Sequence, residues 1–403
     1  MRLALVSALF NYPSRGGGIA DTVGVGRALE RAGIEIVHVY ARQPRWPTGE
    51  VLDPPFAGTA VDISGRSDLG SRMRESVAAL APDAVMITDS WCTKAPLALA
   101  MSQWPVFLRL HAYELICPAT NLRALPWGAP GSDCPNTSLL DPERCRRCVR
   151  DSLAGAGRPS LRAYEARAAG ASGPALFRQI REALDLCRVV FVNNRLAQEW
   201  LGSYAAKAVV AGSGADLPDV SASERIERPG RPVIFMAGGV EDRIKGYAVL
   251  LDACRILWQE GETFELWATA SEPRLIAGGK IRLTGWLGRD ALAAHYAAAD
   301  IAVVPSVCHE SFGIVAVEAM AAGVPVVASR VGGLQEIVVH GRTGLLFERG
   351  NAADLAAALR VLLRDPALRK KLGQAGRRRF RERYTWDEVA RRHYLPALAK
   401  ISK

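Results

Sequence analysis

The 403-residue sequence contains no apolar run of the roughly 18 residues that a membrane-spanning helix requires. Its first residues, MRLALVSALFNYPSRGG, also lack the longer apolar core and the small-residue cleavage site of a secretory signal. The apolar stretch at residues 3–8 instead predicts a first buried strand. We therefore expect a cytoplasmic protein.

Aromatic residues make up only 7% of the chain, and its formal net charge of +10 is scattered along the sequence. Nucleic-acid binding is disfavoured because basic and aromatic residues are not interleaved in one patch. Basic residues are denser at 150–181 and at 370–392. Solvated helix faces explain most such runs. The alternative is peripheral contact with anionic lipid head groups at the inner face of the membrane.

The dinucleotide pattern G-x-G-x-x-G is absent from the loop after the first predicted strand, which reads Ser14-Arg15-Gly16-Gly17-Gly18. The next strand ends in HVYARQ, without the acidic residue that binds a ribose, so a nicotinamide-dependent oxidoreductase is disfavoured. The three glycines either form an ordinary turn or let backbone N–H groups approach an anion at a helix start.

Strand and helix patterns alternate in two series, which predicts an α/β protein with two doubly wound parallel sheets. Residues 217–232, LPDVSASERIERPGRP, have the composition of a linker. We predict a first Rossmann-like domain at 1–215, a second at 230–385, and a final helix at 386–403 that packs back on the first domain. Ligands in such sheets bind at the carboxyl ends of strands, so a cleft between the domains is the expected site.

Glu310 and Glu318 lie eight residues apart around Gly313, at a predicted strand-to-helix turn. A spacing of eight returns to about the same helix face, so the two carboxylates can hold two hydroxyl-bearing parts of one ligand. The helix start between them favours a phosphate. The alternatives are a helix-capping carboxylate for Glu310 and a partly buried ion pair for Glu318.

Two further segments carry residues suited to an anionic, hydroxyl-rich ligand. Arg243 and Lys245 lie in one turn, and a fork-shaped and a point-like cation together suit a diphosphate. His111 ends the predicted strand VFLRLH, where its ring can donate to a ligand oxygen. A solvated turn and a structural histidine are the alternatives.

Four of the eight cysteines fall in an irregular region predicted at 112–150. They are Cys117, Cys134, Cys145 and Cys148. The last two form a Cys-x-x-Cys pair, so a structural zinc ion is one interpretation. Reduced thiols without a ligand are the other, and disulfides are disfavoured without a secretion signal.

The stretch at 299–347, ADIAVVPSVCHESFGIVAVEAMAAGVPVVASRVGGLQEIVVHGRTGLLF, resembles the signature of glycosyltransferase family 4, a retaining group with the GT-B fold. RIKGYAVLLDA and RGGGIADTVGVGRALERAG resemble its Lys-Gly helix start and its N-terminal glycine loop. LHAYELICP is similar to a His-Asp-Tyr…Cys-Pro segment of a branch that often continues with a Cys-x-x-Cys set.

The resemblance implies a role for each matching residue. Glu310 would hold hydroxyls of the donor sugar, Glu318 would bind the ribose, and Lys245 with an arginine would neutralise the diphosphate. His111 would assist at the transferred sugar. Backbone and side chains of two turns would contact the donor: Gly17, Gly18, Ser311, Phe312, Gly313 and Ile314. The family uses no metal for its chemistry, and the leaving phosphate itself is thought to take the acceptor proton.

The sequence departs from the family pattern at two positions. Val240 occupies the place of the usual diphosphate-binding arginine, so Arg243 is the substitute. Ala112 replaces the Asp of His-Asp-Tyr. The resemblance implies a retaining glycosyltransferase that uses a nucleotide-diphospho-sugar and a hydroxyl acceptor, in cell-surface polysaccharide or lipid-linked glycan synthesis. A nucleotide-sugar epimerase of the same fold and a glycosyltransferase of secondary metabolites are the alternatives.

Overall fold

The computed structural model describes residues 1–13, 16–42, 51–63, 69–120, 133–154, 165–167, 169–217 and 230–400. The chain divides into two compact units. Unit 1 comprises Met1–Pro126, Cys134–Ser213 and Val389–Lys403, and unit 2 comprises Trp127–Asp133 and Gly214–Glu388. Ser14, Arg15 and most of the predicted linker lie outside the described residues.

Unit 1 is built on a seven-stranded sheet in the order β3-β2-β1-β4-β5-β6-β7, in which every pair is parallel. The strands are β1 (Arg2–Ser7), β2 (Glu35–Arg42), β3 (Ala57–Asp62), β4 (Ala84–Ile87), β5 (Val106–Arg109), β6 (Val189–Val192) and β7 (Ala208–Val210). The helices are α1 (Gly17–Arg31), α2 (Leu69–Ala79), α3 (Lys94–Ala100), α4 (Pro142–Ala154), α5 (Ala175–Leu186) and α6 (Arg195–Trp200), followed by a 3₁₀ turn at Gly202–Lys207.

Unit 2 contains a second seven-stranded sheet in the order β10-β11-β9-β8-β12-β13-β14. Its strands are β8 (Val233–Met236), β9 (Glu265–Ala268), β10 (Pro273–Ile276), β11 (Ile281–Thr284), β12 (Ile301–Val304), β13 (Val326–Ser329) and β14 (Gly344–Phe347). Its helices are α7 (Tyr247–Gln259), α8 (Arg289–Ala298), α9 (Ile314–Ala322), α10 (Leu334–Ile337), α11 (Ala352–Arg364) and α12 (Pro366–Arg383), with a 3₁₀ turn at Arg243–Lys245.

The central strands are short runs rich in Val, Ile and Ala that are buried on both faces, as parallel sheets covered by helices require. The predicted α/β class with two doubly wound sheets is confirmed. The sequence patterns missed β3, β10 and β14. The edge strand β10 is antiparallel to β11. All four of its residues are exposed, so its sequence lacks the alternation of buried apolar and exposed polar residues that predicts a strand.

The prediction of an irregular region at 112–150 was wrong for its last part, because helix α4 begins at Pro142. The Asp141 carboxylate accepts a hydrogen bond from the N–H of Arg144 at 3.0 Å. Glu143 lies in the first turn, where an acidic side chain is favourable. Cys145 and Cys148 therefore lie one turn apart on a helix.

The C-terminal segment is helical but interrupted: α13 (Trp386–Val389) continues into a π-helical turn at Ala390–Tyr394 and then α14 (Leu395–Leu398). Residues from Val389 onward belong to unit 1. There the Tyr394 ring stacks on Phe191 of β6, with centroids 4.2 Å apart. No helix among the described residues has the length and apolar character needed to cross a bilayer.

Candidate functional site

Glu310 and Lys245 form an ion pair in unit 2. Lys245 lies in the turn after β8, and Glu310 lies in the loop after β12. β8 and β12 are adjacent in the sheet, but the chain goes on from β8 to β9 on one side of this pair and from β12 to β13 on the other. Such a topological switch point is where doubly wound folds bind ligands. The Lys245 Nζ donates to Glu310 Oε2 at 3.0 Å and Oε1 at 3.3 Å.

The Glu310 carboxylate is held by more than one contact. Ser306 Oγ donates to Glu310 Oε2 at 2.9 Å. Burial opposes ionisation, but Lys245 and Ser306 outweigh it and lower the pKa of Glu310. The same ion pair raises the pKa of Lys245. Both groups are therefore charged at neutral pH.

Two glycines are required by the turns that surround this pair. Gly246 has φ of 77°, and a Cβ there would lie 1.9 Å from the Pro305 carbonyl oxygen. Gly313 has φ of 106°, and a Cβ there would lie 2.4 Å from Leu334 Cδ2. These positions begin α7 and α9, so the glycines set where each helix N-terminus starts.

Glu318 lies on α9 and has a different partner, Tyr296. The Tyr296 hydroxyl on α8 lies 3.0 Å from the Val315 carbonyl oxygen and 3.3 Å from Glu318 Oε2. Burial raises the pKa of Glu318 to about 7, although the contact with Tyr296 and the charge of Arg289 act in the opposite direction. Its protonation therefore changes near neutral pH.

A pocket lies along the carboxyl ends of β8 and β12 and the start of α9. Its polar lining comes from Lys245, Ser306 and Glu310. The apolar and backbone lining comes from Met236, Gly238, Val303, Val304, Pro305, Gly313, Ile314 and Val315. Four residues predicted to bind a donor, Lys245, Glu310, Gly313 and Ile314, thus share one pocket of unit 2.

The other donor-binding predictions in unit 2 have different surroundings. Arg243 is exposed, and its side chain forms no hydrogen bond or ion pair with any residue that the structure describes. Phe312 is buried in the core, where its ring packs edge-on to Tyr384 at 6.0 Å. Ser311 is half-buried beside it.

His111 in unit 1 lies two residues beyond the end of β5 and is held between two carboxylates. Its Nε2 is 3.2 Å from Asp21 Oδ2, and its Nδ1 is 3.5 Å from Asp89 Oδ1. Gly18, in the first turn of α1, lies beside them, since a Cβ there would be 3.3 Å from Asp89 Oδ1 and 3.4 Å from the ring. The structure therefore brings Gly18 and His111 together, with Gly17 as the first residue of the helix.

Sequence patterns did not single out the charged groups around His111. Buried Arg109 donates to both oxygens of Asp21 at 2.8 Å. Burial opposes ionisation of Asp21, but Arg109 and His111 hold its pKa below the ordinary value. Asp89 is the last residue of DAVMITD, a short apolar run that predicts a strand, and it lies two residues beyond the end of β4. That position at a strand's carboxyl end was the signal available for it.

The four cysteines of the predicted zinc site all belong to unit 1. Asn136 Nδ2 lies 3.3 Å from Cys145 Sγ, and Cys134 Sγ lies 3.8 Å from the Asn136 carbonyl oxygen. Burial, followed by the nearby Cys117, Cys134 and Cys148, raises the pKa of Cys145 to about 12. Within the described ranges, no three His, Cys, Asp or Glu side chains are arranged to hold a metal ion. The zinc site stays a prediction.

Comparison with known proteins adds a family match to this geometry. Residues 231–365 match the model of the family described as Glycosyl transferases group 1. These residues are therefore similar to a glycosyl transferases group 1 domain. The matched region contains Lys245, Glu310 and Glu318, so the donor-site predictions in unit 2 all lie within it.

Two curated relatives match part of the chain. This chain is 40% identical over 163 residues to the D-inositol 3-phosphate glycosyltransferase of Pseudarthrobacter chlorophenolicus. The match covers 36% of this chain and 38% of the relative. The chain is 35% identical over 206 residues to the phosphatidyl-myo-inositol mannosyltransferase of Mycobacterium leprae, covering 48% and 54%. The chain thus spans about half, or less, of the length of these relatives.

Two solved structures match nearly the whole chain. Sucrose-phosphate synthase from Thermosynechococcus elongatus has a TM-score of 0.64 at 20% identity, covering 99% of this chain and 98% of that one. Anabaena HepE, solved in complex with UDP and glucose, has a TM-score of 0.64 at 16% identity, covering 99% and 100%. At this identity the likeness shows the fold alone, which is the GT-B class.

Proposed function

We propose that this protein is a glycosyltransferase that moves a sugar from a nucleotide-diphospho-sugar to a hydroxyl acceptor with retention at the anomeric carbon. The observation that carries the proposal is the Lys245–Glu310 pair in a pocket at the switch point of a glycosyl transferases group 1 domain. A cation and a carboxylate in one pocket suit the diphosphate and the sugar hydroxyls of such a donor.

Each group in unit 2 takes a distinct part of the donor in this proposal. The Lys245 ammonium neutralises the diphosphate, and the N–H groups at the start of α9 add donors for its oxygens. The ionised Glu310 carboxylate accepts hydrogen bonds from sugar hydroxyls. Glu318 accepts from the ribose and does so best when ionised, above its pKa of about 7. Exposed Arg243 is free to turn toward the diphosphate.

In unit 1, His111 assists at the transferred sugar, and its ring is oriented by Asp21 and Asp89. The leaving phosphate takes the acceptor proton, so the main demand on the protein is to stabilise the charge that develops on that phosphate. The two glutamates position the donor, and neither acts as a nucleophile. No step is assigned to a metal ion.

The relatives lead to a proposal for the acceptor. Two are named for inositol-containing acceptors, one of them a phosphatidyl lipid. A lipid-linked or cell-surface glycan acceptor fits these names, and exposed basic residues of α12, among them Lys370, Lys371 and Arg378, offer peripheral contact with an anionic membrane.

A donor screen tests the proposal. The protein is incubated with UDP-, GDP-, ADP- and dTDP-sugars, and donor hydrolysis, product anomer and thermal protection are measured. We expect one nucleotide to protect and its sugar to be released slowly to water with retention. Interconversion of free donors would indicate the epimerase instead, and absence of both binding and turnover with every donor would contradict the proposal.

A further inference from the structure

Asp133 contacts two side chains of unit 2, Arg349 and His309. Arg349 Nη1 and Nη2 donate to its two carboxylate oxygens at 2.7 and 2.8 Å. His309 Nε2 lies 3.1 Å from Asp133 Oδ2. The two-pronged geometry is the strong form of an arginine–carboxylate contact.

Asp133 is distant in sequence from both partners, since 216 residues separate it from Arg349. The predicted first domain ran without a break from 1 to 215, whereas the structure assigns Asp133 to unit 2 and Cys134 to unit 1. The contacts with Arg349 and His309 join Asp133 to loops of the second sheet. No local sequence pattern reports such a long-range pair.

The two partners lie in loops at the same edge of the sheet. His309 directly precedes Glu310 in the loop after β12, and Arg349 lies two residues beyond the end of β14. Strand β13 separates β12 from β14 in the sheet. The Asp133 carboxylate therefore joins two loops that are not adjacent in the sheet order.

The loop that carries Glu310 is otherwise fixed at its backbone and at the carboxylate itself. The Gly333 N–H donates to the Glu310 carbonyl oxygen at 2.8 Å, and Lys245 and Ser306 bind the carboxylate. The His309–Asp133 contact holds the same loop through the neighbouring side chain. About a third of the Asp133 side chain is exposed, so the contact is partly shielded from water.

We propose that Asp133 is a positioning residue, which holds the loop at 306–312 through His309 and Arg349 so that Glu310 stays in place for the donor sugar. Its effect on the loop stands on the contacts alone, whereas its effect on turnover rests on the proposed function. Glu310 has to place a sugar within a narrow range of geometry, so a looser loop lowers the rate more than it weakens nucleotide binding.

The first test measures hydrogen exchange of backbone amides in the whole chain. Asp133→Asn should speed exchange in peptides that cover 306–313 and 348–351. The matched control is Glu260→Gln, because Glu260 also receives a two-pronged contact from an arginine, Arg360, at 2.8 Å in the same unit. Glu260→Gln should speed exchange only near Glu260, just after α7, and near Arg360 in α11. Unchanged exchange at 306–313 in Asp133→Asn would overturn the proposal.

The second test measures donor turnover. Asp133→Asn should lower kcat by about 10- to 100-fold. The donor KM and the protection by nucleoside diphosphate should change little. Arg349→Lys, which keeps the charge but not the fork, should show the same pattern more weakly. Because both residues form one contact, the double variant should lose less than the product of the single effects.

The outcomes separate the two proposals. If the wild-type protein turns over none of the donors, the proposed function is contradicted. The hydrogen-exchange measurement still tests whether Asp133 holds the loop. Wild-type turnover with an unchanged kcat in Asp133→Asn overturns the positioning role. A rise in KM alone would also overturn it, because that result means a binding contribution and no effect on sugar geometry.

Discussion

The ammonium of Lys245 lies 3.0 Å from the carboxylate of Glu310, although 65 residues separate them. Each is the other's charged partner in the structure. A diphosphate that approaches Lys245 competes with Glu310 for the ammonium and releases carboxylate oxygens for sugar hydroxyls. Phosphate binding and sugar binding are therefore expected to support each other.

Lys245→Met should lower both stability and diphosphate binding, because it leaves the mostly buried Glu310 carboxylate without its cation. We expect a loss of about 1–3 kcal/mol in the free energy of unfolding at pH 7. The pKa of Glu310 is lowered in the folded state. The ion pair therefore stabilises the fold at pH values above the ordinary pKa of a glutamate, and this stabilisation is lost as the pH falls through the lowered pKa.

Thermal unfolding at pH 7 and at pH 4, with and without nucleoside diphosphate, checks this expectation. Arg255→Met is the control, since Arg255 pairs with Asp252 on an exposed helix surface. Equal protection of wild type and Lys245→Met by the nucleotide would place the diphosphate elsewhere.

Glu310→Gln should remove most of the turnover while the fold is kept. The amide keeps the size of the side chain but loses the charge that we propose holds the sugar hydroxyls, and we expect a fall in kcat of about 100-fold or more. Steady-state donor hydrolysis measures this. Glu348→Gln is the control, because Glu348 pairs with Arg330 at 2.8 Å and is exposed. A Glu310→Gln variant with wild-type kcat would contradict the assignment of the sugar site.

Glu318→Gln should stabilise the protein above neutral pH. Burial raises the pKa of Glu318 from 4.5 to about 7, so the folded state binds the proton more tightly than the unfolded chain. The contribution of Glu318 to the free energy of unfolding therefore decreases as the pH rises from 4.5 to about 7. Glutamine does not titrate, so Glu318→Gln removes this decrease. We expect a gain of about 1–3 kcal/mol at pH 8 and none at pH 4. Chemical denaturation at both pH values checks it, and an equal effect at the two would refute the assigned protonation.

Zinc at the cysteine cluster is tested by metal analysis of the purified protein. If the metal is structural, close to one equivalent should be present and a chelator should lower Tm. Cys145→Ser should abolish both effects. Cys254→Ser is the control, because Cys254 is a buried thiol in α7 of unit 2. A protein without metal would leave the alternative of reduced thiols without a ligand.

Local sequence patterns and a family resemblance named four of the residues that line the pocket in unit 2. Glu310, Gly313, Lys245 and Ile314 were all named from spacing, turn chemistry and family resemblance, and they line one pocket. Phe312 was named with them, but its ring packs in the core, because a motif gives the order of residues and not the direction of each side chain.

In unit 1 the sequence predicted His111 and Gly18 but not their surroundings. Asp21 lies on α1, Arg109 on β5, and Asp89 two residues beyond the end of β4. These segments are far apart in the chain and meet only when the sheet forms. Burial raises the pKa of Asp89, whereas the charges of Arg109 and His111 hold the pKa of Asp21 below its ordinary value against burial. Both effects depend on elements that pack together only in the folded chain.

The sequence by itself determined the α/β class, the two series of strands and the strand-to-helix turn around Gly313 that carries Glu310 and Glu318, because apolar periodicity and helix-start chemistry are local properties. Only the tertiary structure decided that α4 carries Cys145 and Cys148, that Lys245 pairs with Glu310, and that Asp133 joins the loops of His309 and Arg349. The last two are contacts between residues distant in the chain, whose geometry is fixed by the packing of the strands and not by any local pattern.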